Sequence, residues 1–157
     1  VVGDGPERRR LEERAASAGL GEAVAWTGFR RDVPALLAAA DLFVLPSRDD
    51  ALPTVLLEAQ AAGVAVVASR AGGVPEIVDD GATGVLVPPG EAAALARAVS
   101  ALLADPAARG RLAQAGRRRA RERFSMDAWL ARLEAVYGEV LGRPVRLRGR
   151  GAREGAA

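Results

Sequence analysis

Acidic and hydroxyl side chains that could bind a ligand are concentrated in residues 46–63. Pro53 stands where a helix would begin, so the N–H groups of Thr54 and Val55 would lack intrahelical partners. Together with the helix dipole, these groups would form a phosphate site. Glu58 follows about one turn later on an otherwise apolar helix, where a carboxylate can accept hydrogen bonds from a ribose diol. The spacing alone leaves a second interpretation open, in which Glu58 is a partly exposed helix acid balanced by arginine.

A second candidate site begins at Gly72 and Gly73, after the next predicted strand. Glycines there would let a ligand approach the backbone, and Pro75 and Glu76 would begin another helix whose N-terminus favours an anion. The same residues also fit an ordinary turn between a strand and a helix. From the pattern alone, the ordinary turn is the favoured interpretation.

A third group surrounds the end of a predicted strand, where Gly28 lies between Trp26 and Phe29. An aromatic ring at this place could cover a nucleobase, although apolar side chains at strand ends usually belong to the core. Arg30 and Arg31 follow, and their guanidinium groups could reach a phosphate or simply be solvated.

Composition excludes several kinds of chemistry from these 157 residues, which contain no cysteine, no histidine and 22 basic residues that are all arginine. Thiolate nucleophiles, disulfides, Cys/His zinc sites and histidine bases therefore cannot form within them. A Schiff base to pyridoxal phosphate and a phosphate-loop lysine are excluded for the same reason. Gly3 and Gly5 lack the third glycine of a dinucleotide fingerprint, so no nicotinamide cofactor is expected.

Charge is unevenly distributed, because residues 1–107 carry 9 Arg and 15 acids whereas residues 108–157 carry 13 Arg and 5 acids. An Arg-rich end suggests nucleic acid or an anionic membrane, but such ends are more often solvated, and no nucleic-acid partner is predicted. A solvated helix face is predicted for Arg117, Arg118, Arg119, Arg121 and Arg123. No apolar run reaches the ~20 residues of a membrane span and no signal peptide opens the chain, so we expect a cytoplasmic location, with peripheral attachment at the inner membrane face as an option.

The elements that must position these residues alternate between short β-branched runs and longer Ala/Leu/Arg segments. This pattern predicts an α/β fold, a Rossmann-like parallel sheet flanked by helices and followed by C-terminal helices. Strands are predicted at residues 1–3, 24–27, 42–45, 64–68 and 85–87, and helices at 7–18, 33–39, 53–62, 74–78, 91–104, 109–123 and 126–141. Residues 1–141 would form one domain, and residues 142–157 a disordered Arg/Gly-rich tail.

The last predicted helix has two local signals of its own. Ser125 is expected to cap its N-terminus. Five apolar residues recur at helical spacing and are predicted to form a buried stripe: Leu130, Leu133, Val136, Tyr137 and Val140.

Three segments occur in order within residues 1–125: VVGDGPERRRLE, VAWTGFRRDVPALLAAADLFVLPSRDDALPTVLLEAQAAGVAVVASRAGGVPEIVDDGATGVLVPPG and RERFS. Together they resemble the C-terminal nucleotide-sugar-binding domain of a family 4 retaining glycosyltransferase (glycosyl transferases group 1, GT-B fold). The resemblance implies transfer of a sugar from a nucleotide diphosphate donor to an acceptor, with retention at the anomeric carbon and with no metal or cofactor. The acceptor is unknown. The donor would lie between this domain and an N-terminal acceptor-binding domain that these residues do not contain.

The resemblance also implies roles for individual residues. The family's two glutamates, separated by seven residues, fall on Asp50 and Glu58. Asp50 would position the donor sugar by binding the hydroxyls of that sugar, and Glu58 would bind the ribose hydroxyls. The diphosphate would meet N–H groups near Pro53, Thr54 and Val55. The other donor-binding candidates are Gly28, Phe29 and Arg30, which would line the base, and Ser47, Gly72 and Gly73.

The chain departs from the family pattern at two places. Asp50 and Ala51 stand where the family has Glu-Gly, so the carboxylate is one methylene shorter, and the Arg/Lys pair that neutralises the diphosphate is not in these residues. Losing a hydrogen bond to a charged group, ~1.5 to 3 kcal/mol, would slow transfer about 10-fold or more. The alternative function is a non-catalytic module with a degenerate site that binds nucleotide sugars or a partner.

Overall fold

The structure is a computed structural model that describes residues 1–147. The chain divides into two compact units, Val1–Leu36 and Leu37–Ala157. Most of the tail predicted to be disordered, residues 148–157, lies outside the described residues. None of the helices within residues 1–147 is both long and apolar enough to cross a membrane.

The first unit contains helix α1 (Arg8–Ser17) and two extended segments joined by a few hydrogen bonds. The Gly3 N–H donates to the Gly28 carbonyl at 2.8 Å, and the Thr27 N–H donates to the Val1 carbonyl at 3.0 Å. The prediction of regular strands at residues 1–3 and 24–27 is wrong, because only isolated bridges join Val2 and Gly3 to Gly28. Among the described residues of this unit each segment has just the other as a partner, and a lone pair of short segments is marginally stable. A short helix, α2 (Val33–Ala38), follows in the chain.

The second unit is built on a parallel sheet of β1 (Phe43–Leu45), β2 (Val66–Ser69) and β3 (Val85–Val87), in that spatial order. Val67 on the central strand pairs with Val44 on one side and with Val85 on the other. These are the three strands predicted from the apolar runs at residues 42–45, 64–68 and 85–87. All of β2 is buried because helices cover both faces of the sheet, as is usual for parallel sheets.

The helices of this unit are α3 (Thr54–Ala62), α4 (Val74–Ile77), α5 (Ala92–Ala104), α6 (Pro106–Phe124) and α7 (Met126–Leu141). Their ends follow local signals. α3 ends at Gly63, whose φ of 80° is the left-handed conformation of a helix C-terminus. The Ser125 hydroxyl accepts a hydrogen bond from the Ala128 N–H, so the predicted cap of α7 is confirmed. α6 begins three residues earlier than predicted, because Pro106 occupies its first turn and the Asp105 carboxylate accepts from the Ala108 N–H.

The core has a close approach between α3 and α6. A Cβ on Gly116 of α6 would lie 3.1 Å from the Cγ of Gln60 and 3.2 Å from the carbonyl oxygen of Thr83, so only glycine allows this spacing without a shift. Gln60 is completely buried, and its Nε2 donates to the Thr83 carbonyl at 3.3 Å. Its Oε1 is buried without a hydrogen-bond partner among the described residues.

The apolar stripe predicted to be buried on α7 is exposed instead. No residue of α7 is buried, and Val136, Tyr137 and Val140 are 55%, 46% and 76% exposed. Leu130 and Leu133 are half-buried. The helix packs mainly against α6, and nothing else in the described part of the chain covers the stripe.

Candidate functional site

The carboxyl ends of the three parallel strands lie at one edge of the sheet, which is where α/β proteins usually bind ligands. The loops at this edge are residues 46–53, 70–73 and 88–91. They contain Ser47, Asp50 and Pro53 in the first loop and Gly72 and Gly73 in the second. The structure therefore brings these five predicted site residues to the same edge.

The start of α3 has the free donors that the sequence predicts. Pro53 is buried at the N-cap position, and no side chain caps the helix. The first backbone bond runs from the Leu56 N–H to the Pro53 carbonyl at 3.0 Å. Among the described residues, the N–H groups of Thr54 and Val55 have no protein acceptor, so both can bind an anion at the positive end of the helix dipole.

Two carboxylates flank this helix start in the chain. Asp50 is half-buried in the loop, and Glu58 is exposed on α3 itself. Within residues 1–147 neither carboxylate takes part in an ion pair or a hydrogen bond, so Glu58 is the exposed helix acid of the second interpretation, but without the balancing arginine. Both acids are free to accept hydrogen bonds from hydroxyl groups of a ligand.

Glu58 also borders a depression that sequence reasoning missed. This space of about 360 Å³ is shared by α3 and the junction of α6 and α7, with Arg121, Phe124 and Ser125 among its lining residues. The sequence contains no local signal for it, because the two walls are some sixty residues apart in the chain.

Gly72 and Gly73 contact the loop that carries Asp50. The Gly73 N–H donates to the Asp50 carbonyl at 2.9 Å. The sequence analysis explained these glycines by the close approach of a ligand and did not predict this contact within the chain. Because glycine has no side chain, the backbone of Asp50 and Ala51 fits against both residues.

Gly28, Phe29 and Arg30 belong to the first unit. Gly28 is buried, whereas the Phe29 side chain is 80% exposed and contributes little to a core. The Arg30 guanidinium is paired with Asp32 at 2.5 Å. The hydrogen bond from Arg30 lowers the pKa of Asp32, and the same bond raises the pKa of Arg30. The guanidinium that could reach a phosphate is therefore engaged, and base binding by this segment stays a prediction.

A small cleft of about 180 Å³ lies at the same sheet edge beside α5. Its polar lining residues are Arg48, Ser69 and Glu91, and its walls include Pro46 and Pro88. Ser69 was not predicted as a site residue, although its position at the carboxyl end of a buried strand could have indicated it.

Arg119 is not part of a solvated face, so that prediction is wrong for this residue. Its Nε donates to the Ile77 carbonyl at 3.0 Å, its Nη2 donates to the Glu76 carbonyl at 3.1 Å, and its Nη1 pairs with Asp79 at 2.5 Å. The guanidinium also lies 6.0 Å from the centre of the Phe124 ring. Arg119 thus holds the C-terminal end of α4 against α6.

The remaining arginines of the predicted solvated face are exposed, as the sequence predicts. Four are exposed: Arg117, Arg118, Arg121 and Arg123. Within residues 1–147, no group of three or more acidic side chains is arranged to hold a metal ion.

The sequence model of the family named "Glycosyl transferases group 1" matches residues 1–119, which is more than half of the chain. This chain belongs to that family. The start of α3 and the glycine pair both lie within the residues that match the group 1 model.

Curated group 1 relatives are similar over most of the chain. The D-inositol 3-phosphate glycosyltransferase of Salinispora arenicola is 43% identical over 144 residues, which are 88% of this chain and 32% of that protein. The chain therefore spans about a third of the length of this relative.

Solved glycosyltransferase structures share the fold. HepE of Anabaena, solved with UDP and with UDP-glucose, has a TM-score of 0.79 at 31% identity, covering 90% of this chain and 39% of HepE. The C-terminal domain of the group 1 protein LpcC from Francisella tularensis has a TM-score of 0.68 at 28% identity, covering 76% of this chain and 63% of that one. The α/β architecture is that of a C-terminal domain in GT-B glycosyltransferases.

Proposed function

We propose that this chain is the donor-binding part of an enzyme that takes a nucleotide diphosphate sugar and transfers the glycosyl group with retention at the anomeric carbon. The observation that carries the proposal is the uncapped start of α3, with free N–H groups on Thr54 and Val55 between the unengaged acids Asp50 and Glu58 in the chain. The similarity to HepE, which was solved with UDP-glucose, supports this choice of donor class.

The start of α3 would act on the leaving group. As the bond between the anomeric carbon and the diphosphate breaks, negative charge grows on the diphosphate oxygens. The N–H groups of Thr54 and Val55 and the positive end of the helix dipole would stabilise that charge without reorganising. The acceptor hydroxyl would attack from the same face, held in place by an N-terminal acceptor-binding domain.

The two acids would position the donor. Glu58 would accept hydrogen bonds from the ribose hydroxyls, and Asp50 would accept them from the donor sugar. Neither acts as a nucleophile in this proposal. Gly28, Phe29 and Arg30 would line the base, and the other proposed donor contacts are Ser47, Pro53, Gly72 and Gly73. No metal or cofactor takes part.

The exposed arginines of α6 support a second element of the proposal, a cytoplasmic protein in peripheral contact with the anionic inner face of the membrane. Arg117, Arg118, Arg121 and Arg123 are all exposed. Clustered arginines of this kind are attracted to anionic lipid.

Nucleotide binding by the full-length protein tests the role of Glu58. Titration calorimetry with UDP should show that Glu58→Ala weakens binding about 10-fold, the cost of one lost hydrogen bond to a charged group. Glu139→Ala removes an exposed acid of α7 and should leave the affinity unchanged. Equal affinities for the wild type and Glu58→Ala would remove the ribose contact from the proposal.

The second candidate function is a non-catalytic nucleotide-sugar-binding module, and the observation that favours it is Asp50-Ala51 in place of Glu-Gly. Release of UDP from UDP-glucose distinguishes the two functions. With water taking the glucosyl group in place of the unknown acceptor, a catalytic protein should hydrolyse UDP-glucose to UDP and glucose, and the double variant Asp50→Glu/Ala51→Gly should do so faster. If both the wild type and the double variant bind UDP-glucose but release no UDP, the protein is the non-catalytic module.

A further inference from the structure

The carboxylate of Asp50 is held by its backbone and not by side-chain partners. No ion pair or side-chain hydrogen bond engages it within residues 1–147. In the same part of the chain, residues 48–52 make one backbone hydrogen bond, which is donated by the Gly73 N–H to the Asp50 carbonyl at 2.9 Å. The position of this acid therefore depends on the segment that contacts its main chain.

Gly72 is pressed against the main chain of Asp50. A Cβ on Gly72 would overlap the Asp50 carbonyl oxygen and would lie 2.7 Å from its carbonyl carbon and 3.2 Å from its nitrogen. Gly72 also has a φ of +47°, in the left-handed region that side chains disfavour. Two independent reasons, space and backbone conformation, require glycine here.

At Gly73 only the lack of space requires glycine, so a substitution there tests the contact with the Asp50 loop without a change in backbone strain. Its φ of −81° is open to any residue. A Cβ there would nevertheless overlap the carbonyl oxygen of Ala51 and would lie 3.1 Å from its carbonyl carbon and 3.4 Å from the Cα of Leu52. Glycine is required at this position because the Asp50 loop occupies the space of a side chain.

The glycine pair can position the loop because α4, which it begins, is anchored at its other end. Val74 and Ile77 of α4 are fully buried. Arg119 of α6 donates to the carbonyls of Glu76 and Ile77 at 3.1 and 3.0 Å. The glycines thus join a fixed support to a loop that has few hydrogen bonds of its own.

We propose that Gly72 and Gly73 are positioning residues that set the carboxylate of Asp50 against the donor sugar. This inference rests on the proposed function, in which Asp50 meets the sugar and Glu58 the ribose. It predicts that adding a methyl group to the glycine pair displaces Asp50 and weakens sugar recognition, while nucleotide recognition at Glu58 and the start of α3 is retained.

The experiment compares Gly73→Ala with Asp50→Ala in the full-length protein, using UDP and UDP-glucose as probes in titration calorimetry. Both variants should bind UDP within about 2-fold of the wild type. Both should lose about 10-fold in the affinity for UDP-glucose relative to UDP, the worth of one hydrogen bond to a charged group. The double variant Gly73→Ala/Asp50→Ala should lose no more than either single variant, because both act on the same contact.

Two glycines serve as matched controls. Gly110→Ala places a methyl group in open space without a positive φ and matches Gly73→Ala, and Gly81→Ala does so at a φ of +73° and matches a Gly72→Ala variant measured beside it. Both controls should bind the two probes as the wild type does. Circular dichroism of each variant checks that the fold is retained.

Several results would overturn the proposal. These are an unchanged preference for UDP-glucose in Gly73→Ala, an equal loss of UDP and UDP-glucose, or additive losses in the double variant. If Gly73→Ala does not fold, Arg119→Lys replaces it, because this change loosens the other end of α4. Arg119→Lys should lower the affinity for UDP-glucose relative to UDP while the affinity for UDP is retained. An unchanged ratio of the two affinities in Arg119→Lys would also contradict the proposal. A wild type that binds no nucleoside diphosphate, tested with UDP, GDP and ADP, refutes the proposed function itself, whereas a wild type that binds both UDP and UDP-glucose and is unaffected by Gly73→Ala refutes only the role of the glycines.

Discussion

Strand β2 is mostly apolar and helix α7 carries an apolar stripe, but the structure buries only the strand. All four residues of β2 are buried, and no residue of the sixteen in α7 is. β2 has β1 and β3 as hydrogen-bonded neighbours and is packed by α3 and α5, whereas α7 packs mainly against α6. The difference shows that an apolar stripe specifies what a helix can bury, and that neighbours decide whether it does.

The same difference predicts where substitutions destabilise the chain. Burying a large aliphatic side chain is worth about 1.5 to 3 kcal/mol, so changes around β2 should be costly. Changes on α7 should cost little as long as the stripe stays uncovered.

The largest effect is expected at Gly84, next to β3. A Cβ there would overlap the Val66 side chain and would lie 2.8 Å from Cγ1 of Val78 and 2.9 Å from the Val66 carbonyl oxygen. Gly84→Ala should therefore lower the free energy of unfolding by about 3 kcal/mol, at the upper end of overpacking costs. Urea unfolding measures this. Gly110→Ala, in open space inside α6, should instead stabilise by up to about 1 kcal/mol, and equal effects would contradict the packing around β2.

The next effect is expected at Arg119, which ties α6 to the helix that follows β2. Arg119→Ala should lower the free energy of unfolding by about 2 to 3 kcal/mol, because two carbonyls and Asp79 lose a charged donor. Arg118→Ala removes an exposed neighbour and should change stability by less than about 0.5 kcal/mol. Thermal unfolding of the two variants side by side would contradict the bridge if their midpoints coincided.

A smaller effect is expected at Gln60, a polar residue in the buried region. Gln60→Met keeps the volume, loses the 3.3 Å bond to the Thr83 carbonyl and removes the unpaired Oε1. The lost hydrogen bond destabilises the fold and the removal of an unpaired buried oxygen stabilises it, so the free energy of unfolding should change by less than about 1 kcal/mol. Gln60→Ala opens a cavity and should cost more. A loss above about 2 kcal/mol in Gln60→Met would mean that Oε1 has a partner in solution, such as an ordered water.

The smallest effect is expected on α7. Val140 is 76% exposed, so Val140→Ser should change the free energy of unfolding by less than about 0.5 kcal/mol. Val67→Ser on β2 is the buried counterpart and should lower the free energy of unfolding by about 2 to 3 kcal/mol, because it adds an unpaired hydroxyl to the core. Denaturant unfolding of the two serine variants in the full-length protein tests the contrast. A loss above about 2 kcal/mol in Val140→Ser would show that another part of the protein covers the stripe.

Elements that depend on neighbouring residues could be predicted from the amino-acid sequence. The apolar runs at residues 42–45, 64–68 and 85–87 became β1, β2 and β3, because a strand covered on both faces must be apolar throughout. Pro53 and Ser125 marked the starts of α3 and α7 correctly, since a helix start depends on residues within one turn. The free N–H groups of Thr54 and Val55 follow from the same local rule.

Features that depend on partners distant in the chain could not be predicted in this way and required the three-dimensional structure. The sequence marks Gly72 and Gly73 as flexible, but the backbone of Asp50 and Ala51 that fills the space beside them lies some twenty residues away. In the sequence, Arg119 cannot be distinguished from its exposed arginine neighbours. In the structure, it donates hydrogen bonds to the carbonyls at the end of α4. The segments 1–3 and 24–27 have strand-like composition but lack a neighbouring strand, and the stripe of α7 lacks a covering element. Burial and hydrogen bonding need a partner in space, and a sequence pattern describes only one side of that contact.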